Sequence, residues 1–326
     1  MTKTYNMVQR IAGICIFCLC LLGCGQQAGQ ADKAGQALVS YTDALGRTVE
    51  FTAQEISDIQ SGSLRVAILD GSFAEIWSIA GGRLAAVTED AYDDTRMIAI
   101  EEDTVHVGNL KNPNLESLLS ADAGLVILSA DIEGHLALEE KLANLDIKTI
   151  YHSVETFDDY LQVLRFYTRL TGQEERYVLY GTEVEKEIAG QTARQEGRQP
   201  TVLLLRAYST GVKAKGSDNL TGIMLKDLGC VNIADGENRL LEDLSVEAIL
   251  EMEPDYIFVT TMGDEEAALA SVQAVLLDNP AWESLSAVQN GRYYVLPKNK
   301  FHNKPNQRWA ESYRILADIL YPENAQ

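Results

Sequence analysis

The chain is poor in cysteine. It has five in 326 residues, and Cys15, Cys18 and Cys20 all fall within the first 23. Cys24 follows at once, so Cys230 is the only one left in the body of the chain. A single thiol makes no disulfide framework and no thiolate metal site. Cations are scarce as well: Lys+Arg is 27 against 48 Asp+Glu, a formal charge of -21. That balance excludes nucleic-acid binding, which rests on cations at phosphates, and broad adhesion to anionic lipid. Histidine is down to four. There is no G-x-S-x-G and no H-E-x-x-H, and Gly211 to Ser217 has the spacing of a phosphate loop without its lysine. Catalysis needs a nucleophile with a base in reach, and no spacing offers one. We expect neither enzymatic activity nor a cofactor; a surface-anchored hydrolase is the alternative reading.

Long apolar runs are also missing. The longest, Ile11 to Leu22, has 12 residues, too few to span a bilayer. Lys3 and Arg10 precede it and Leu21-Leu22-Gly23-Cys24 ends it, an order that resembles a bacterial lipobox. The expectation is a signal peptide over residues 1–23, a lipidated Cys24 and a flexible tether over 24–39, rich in Ala, Gly and Gln. An ordinary cleaved signal with an incidental cysteine is the plainer alternative. The mature chain would be extracytoplasmic, held to the membrane by lipid only, with a net charge of about -23.

What is present is an alternation of short apolar strands and helices. Apolar residues make up 46 %, and Leu64–Leu69, Leu84–Val87 and their successors alternate with helical stretches. This predicts an α/β fold with parallel sheets. Before them, residues 41–51 read as a hairpin turning at Gly46. The sequence also echoes itself. Glu116 to Leu128, moved by 131 positions, falls on Glu247 to Val259: acid, short helix, acidic turn, four-residue buried strand. A weaker echo pairs residues 65–82 with 201–229. Two echoes in one order predict two lobes of related build. Residues 173–196 contain no proline and carry charges throughout, as a long helix would. We therefore divide the chain into a lobe over 40–172, a connecting helix over 173–196 and a lobe over 197–322.

These pieces together carry a resemblance. The lipobox, Asp43-x-x-Gly46-Arg47, Pro113-Asn-Leu-Glu116, the mid-chain helix, Ser245-x-Glu247-x-x-Leu250-x-x-x-Pro254-Asp255 and a final amphipathic helix occur in this order. The chain resembles the substrate-binding lipoproteins of ABC importers for iron–siderophores, haem and cobalamin over about residues 40–322. The resemblance implies two Rossmann-like lobes with parallel sheets joined by one long helix and a ligand cleft between them. It also implies that Glu116 and Glu247 dock into arginine pockets of a permease dimer that works with an ATPase. Helix N-terminal acids favoured by the dipole would look the same.

In α/β lobes ligands meet the loops after the strands. Those loops hold Tyr92, Arg96, His135 and His152 in the first half, and Arg206, Tyr208, Lys213, Lys215, His302 and Lys304 in the second. Six of the cations fall between Arg292 and Arg314 with Glu311 the only acid. Such clusters predict an anionic small-molecule ligand: a ferric siderophore, haem or a corrinoid. A solvated face of the final helix is the plain reading of Arg308 and Arg314. His135, His152 and His302 could together ligate a metal or supply axial ligands to haem, or each could be structural.

Overall fold

The computed structural model describes residues 37–242 and 244–322. The expected signal peptide, Cys24 and residues 25–36 lie outside them. Residues 37–39, expected in the tether, already belong to β1 (Ala37–Thr42), which pairs antiparallel with β2 (Thr48–Thr52). The Asp43 carboxylate closes the turn between them. It accepts from the Leu45 and Arg47 amides at 3.0 Å and meets Arg47 Nη2 at 2.6 Å. The Arg47 guanidinium lies 5.0 Å over the Tyr151 ring, fixing the hairpin to the first lobe.

The first lobe holds a parallel sheet ordered β5-β4-β3-β6-β7. Its strands are β3 (Arg65–Ile68), β4 (Ala86–Val87), β5 (Val105–His106), β6 (Ala123–Ser129) and β7 (Lys148–His152). The second lobe has β8 (Thr201–Tyr208), β9 (Gly211–Lys215), β10 (Val231–Asn232), β11 (Tyr256–Thr261) and β12 (Tyr293–Val295). There the parallel order is β10-β8-β11-β12, with β9 antiparallel on β8.

The sequence echo is a structural one. Asn114 and Ser245 cap the helices Leu115–Ser120 and Val246–Met252, each accepting from the amide three residues on. Leu118 and Ile249 bury their side chains at the same point of each helix. Each helix runs out into an acid in the left-handed region, Asp122 at φ 52° and Glu253 at φ 44°, where non-glycine residues are uncommon. β6 and β11 follow and fill the same place, beside β3 and β8. The weaker echo holds too. The helices Gly71–Ile79 and Leu220–Asp227 are followed by Gly81 and Gly229, at φ 86° and 83°. The second copy carries β9 as an insertion between its strand and its helix.

Between the lobes, Glu175–Tyr177, a π turn over Val178–Thr182, Glu183–Thr192 and a 3₁₀ turn over Ala193–Gln195 run on as one helical rod. The Tyr180 carbonyl accepts from the Tyr160 hydroxyl at 2.9 Å, one cause of a local departure from α geometry. Each sheet's outer face has its own core, around Leu128 and Leu118 in the first lobe and around Val259 and Ile249 in the second. The inner faces share one. Ile68 and Ile127 from the first sheet and Leu204 and Phe258 from the second join a continuous cluster with Tyr160, Trp309 and Leu316.

Candidate functional site

The loops after the parallel strands build two unlike walls at the lobe junction. The first wall is acidic and already paired. Asp70 caps the helix Gly71–Ile79, accepting from Ser72 N at 2.7 Å and Phe73 N at 3.4 Å. Asp90, from the loop after β4, takes Gly71 N at 2.8 Å. Only glycine fits there, since a Cβ at 71 would stand 2.7 Å from Asp90 Oδ2. A helix N-terminus favours an anion, and this one is filled by the chain's own carboxylates. Burial, with the Asp70 charge beside it, raises the Asp90 carboxyl above its usual range.

Arg96 was expected to face a ligand, but it is spent inside this wall. Its side chain is 7 % exposed and stands 3.6 Å from Glu75 Oε2. Its Nε donates to the Asp90 carbonyl at 2.9 Å. Asp93 is exposed; two hydrogen bonds from Thr95, helped by the nearby charges of Arg96 and Lys298, hold its carboxyl below the usual range. Tyr92 is exposed and meets His106 edge-on at 5.4 Å.

The second wall is cationic and largely unpaired. Burial, and then the charges of Arg206, Lys298 and Lys304, push the His302 imidazole down to about 4, so it is neutral. Arg206 lies on the inner face of β8, opposite Thr260 of β11, and its Nε is buried without a partner among the described residues. Lys298 donates to the Gly263 carbonyl at 2.6 Å. Lys304 Nζ stands 5.4 Å over the ring of Phe73 in the first wall, and Lys298 lies near Asp93, so the two walls face one another. Lys213 and Lys215 are not in a loop. They sit in β9, opposite Arg206 and Leu204 in register, and so share the face of Arg206. Tyr208 is half-buried, and its carbonyl accepts from Ser271 Oγ at 2.6 Å.

Two expected histidines belong to the core instead. His135 is fully buried; Nδ1 accepts from Ser129 N at 3.0 Å and Nε2 lies 2.7 Å from the Leu110 carbonyl. His152 is buried among Phe73, Phe166 and Tyr167, with Nδ1 3.0 Å from the Tyr41 hydroxyl, and burial pushes it down to about 3. The three-histidine cage is therefore ruled out. Among the described residues no three His, Cys, Asp or Glu side chains are placed to hold a metal ion. The late cation cluster also divides. Lys300 pairs with Glu311 at 2.6 Å, Arg292 lies 5.2 Å over Tyr256, and Arg314 is exposed. Arg308 is not a solvated residue: it pairs with the buried Glu75 at 3.0 Å. Sequence reasoning counted Lys298 in the late cation cluster but did not carry it into the ligand-facing set; in the structure it opens the short helix Lys298–Phe301. Sequence reasoning also passed over Glu75, whose one signal is an acid alone in the apolar stretch from Phe73 to Ala80.

Glu116 and Glu247 are exposed, each the second residue of its capped helix, and neither has an ion-pair partner among the described residues. A hollow of about 100 Å³ beside Ile59, Trp77 and Arg83 lies in the first lobe, where Arg83 and Glu101 already pair at 2.8 Å; it gathers none of the groups above. Among the described residues no helix is long and apolar enough to cross a membrane.

No curated protein matches the sequence. The family model for periplasmic binding proteins matches residues 66–300. Among solved structures, FeuA from Bacillus subtilis, a triscatecholate siderophore binding protein complexed with ferri-bacillibactin, is similar at 18% identity and TM-score 0.63, over 87% of this chain and 97% of that one. PiuA from Streptococcus pneumoniae, an iron uptake ABC transporter substrate-binding protein, is similar at 15% identity and TM-score 0.66, over 87% and 98%. IsdE of S. aureus, complexed with heme, is similar at 17% identity and TM-score 0.63, over 79% and 99%. At these identities the likeness is one of fold, and the family match carries the rest. The chain belongs to the periplasmic binding protein family, a family of binding proteins that work outside the cytoplasm.

Proposed function

We propose that this protein captures a small, multiply anionic iron complex, a ferric siderophore before haem or a corrinoid, and holds it against the second wall. The observation that carries the reading is the convergence of Arg206, Lys298 and Lys304 on a neutral His302. Like charges gathered in a partly buried place repel, and an anion of several charges relieves that repulsion. The two carboxylates of haem or the single phosphate of a corrinoid match three cations less well. His302 adds an acceptor among the donors. Lys213 and Lys215 extend the same face. Titration of intrinsic fluorescence against ferric siderophores, haem and cobalamins tests this. A ferric siderophore should bind most tightly; tighter binding of haem or cobalamin would overturn the choice.

Delivery follows from the same reading. Residues 1–23 direct export, Cys24 carries lipid, and Glu116 and Glu247 meet arginines on the two halves of a permease dimer driven by its ATPase. Their matched positions and free carboxylates support this. Loss of one would leave an interfacial arginine unpaired, at a cost of about 2–5 kcal/mol if it is buried. Glu116→Lys with Glu247→Lys should abolish uptake and leave the ligand Kd unchanged. Normal uptake, or equal loss of ligand binding, would end the docking assignment. Cys24→Ala should release the protein from the membrane fraction with its affinity intact.

A further inference from the structure

The most heavily bonded charge at the junction is one that ligand binding does not use. Glu75 lies on the helix Gly71–Ile79 of the first lobe and is fully buried. Oε1 accepts from Met97 N at 3.0 Å and Gln307 Nε2 at 3.0 Å, and meets Arg308 Nη1 at 3.0 Å. Oε2 accepts from Asn306 Nδ2 at 2.8 Å and stands 3.6 Å from Arg96 Nη1. Gln307, Arg308 and Asn306 come from the second lobe, Met97 and Arg96 from the first. Asn306 is itself fully buried, takes a left-handed φ of 51°, and also donates to the Ser72 carbonyl at 3.0 Å. A residue held in that conformation without being glycine marks a segment constrained by its contacts.

We propose that Glu75 is the clamp that sets the distance between the two walls, and so the size of the complex they accept. The apolar core and the helical rod join the lobes but are not directional; hydrogen bonds to one buried carboxylate from both sides are. Separating the walls would strip Arg308, Gln307 and Asn306 from the buried carboxylate and leave it to Arg96 and Met97 N alone, and breaking such a set by removing one partner is strongly destabilising. The clamp is incomplete at its edge: Asn306 Oδ1, Gln307 Oε1 and Arg308 Nε are buried without partners among the described residues. Such groups favour any arrangement that satisfies them, so the junction opens here first once Glu75 is lost. That the spacing selects a ligand rests on the function proposed above; that Glu75 holds it does not.

Hydrogen exchange read by mass spectrometry on the full chain tests the clamp without any ligand. In Glu75→Gln, exchange at Met97 and in the helices Gly71–Ile79 and Trp309–Leu320 should quicken at least tenfold, while β6 and β11 keep their protection. Gln307→Ala removes one bond and leaves the charges paired, so it should show the same local pattern more weakly. It decides the matter if Glu75→Gln does not fold. Unchanged exchange at the junction in both variants would overturn the clamp, and so would a uniform rise that includes β6 and β11 in Gln307→Ala. A wild-type chain that binds no ferric siderophore would break the ligand reading and leave the exchange result standing.

Discussion

At the carboxyl end of β3 the following helix has its first amides filled by Asp70 and Asp90. At the carboxyl end of β8, the strand in the same place of the other sheet, the chain turns back as β9 and sets Arg206 and Lys213 opposite each other. The two lobes share caps, left-handed helix ends and strand order, yet their walls have opposite charge. The shared parts are those that hold a strand and a helix together. The part that differs is the inserted hairpin, together with the segment after β12, which carries a short helix, Lys298–Phe301, where the first lobe passes from β7 to the helix Phe157–Thr171 in a few residues. On the function proposed above, ligand chemistry sits where the insertion interrupts the repeat.

The strongest way to break this contrast is to strip the second wall. Arg206→Ala with Lys304→Ala should weaken ferric siderophore binding about thirtyfold, some 2 kcal/mol for two partly buried charge contacts, and remove most of its salt dependence. Asp93→Asn in the first wall should leave affinity within about twofold, as expected of an exposed charge. Calorimetric titration at two ionic strengths reads both. Equal losses from the two walls would end the asymmetry.

A second test uses protons. The folded state holds His302 near 4, below its ordinary 6.5, so the unfolded chain takes up a proton that the folded chain refuses. Stability is therefore full above about pH 6.5 and falls as the pH drops from there toward 4. The loss from this group is about 1–2 kcal/mol after allowance for its partial exposure. Urea unfolding at pH 7.5 and 4.5 should show a smaller drop in His302→Gln than in the wild type. His152 is present in both and does not enter the difference. An identical drop would mean that neither burial nor the second wall's cations hold His302 below its ordinary range.

The smallest effect probes the shared part. Asp122→Gly should raise stability by roughly 0.5 kcal/mol, because glycine takes the left-handed region without strain; Glu253→Gly should gain less, since it also loses the hydrogen bonds from Ser286. Denaturant midpoints read this, and opposite signs at the two positions would break the equivalence of the paired helices.

What was legible in the sequence is what is local. The echo, the helix caps, the Asp43–Arg47 turn and the loops after the strands depend on residues a few positions apart. β9 was legible too: Val212 and Ala214 alternate with Lys213 and Lys215 at the period of a strand, yet the segment was read as a loop. The histidines were not legible. His152 owes its burial to Tyr41 and Phe73, and His135 to the Leu110 carbonyl, partners brought in by the hairpin and by another loop. Arg308 read as a solvated helix residue because its partner, Glu75, lies 233 positions away. Charge alone marked the second wall. Only packing shows that Arg96, of the same charge, is not available to a ligand.

The core shared by the inner faces has a consequence for how the chain reaches this state. Ile68 and Ile127 belong to the same buried cluster as Trp309 and Leu316, and the helix Trp309–Leu320 packs on Glu183–Thr192. The first lobe therefore cannot finish burying its inner face until residues 309–320 are in place. Contacts of such long sequence separation favour slow folding. A chain stopped short of Trp309 would be left with an open core and exposed to proteases, whereas a cut in the exposed turn after Gln195 could be tolerated once the whole chain has closed.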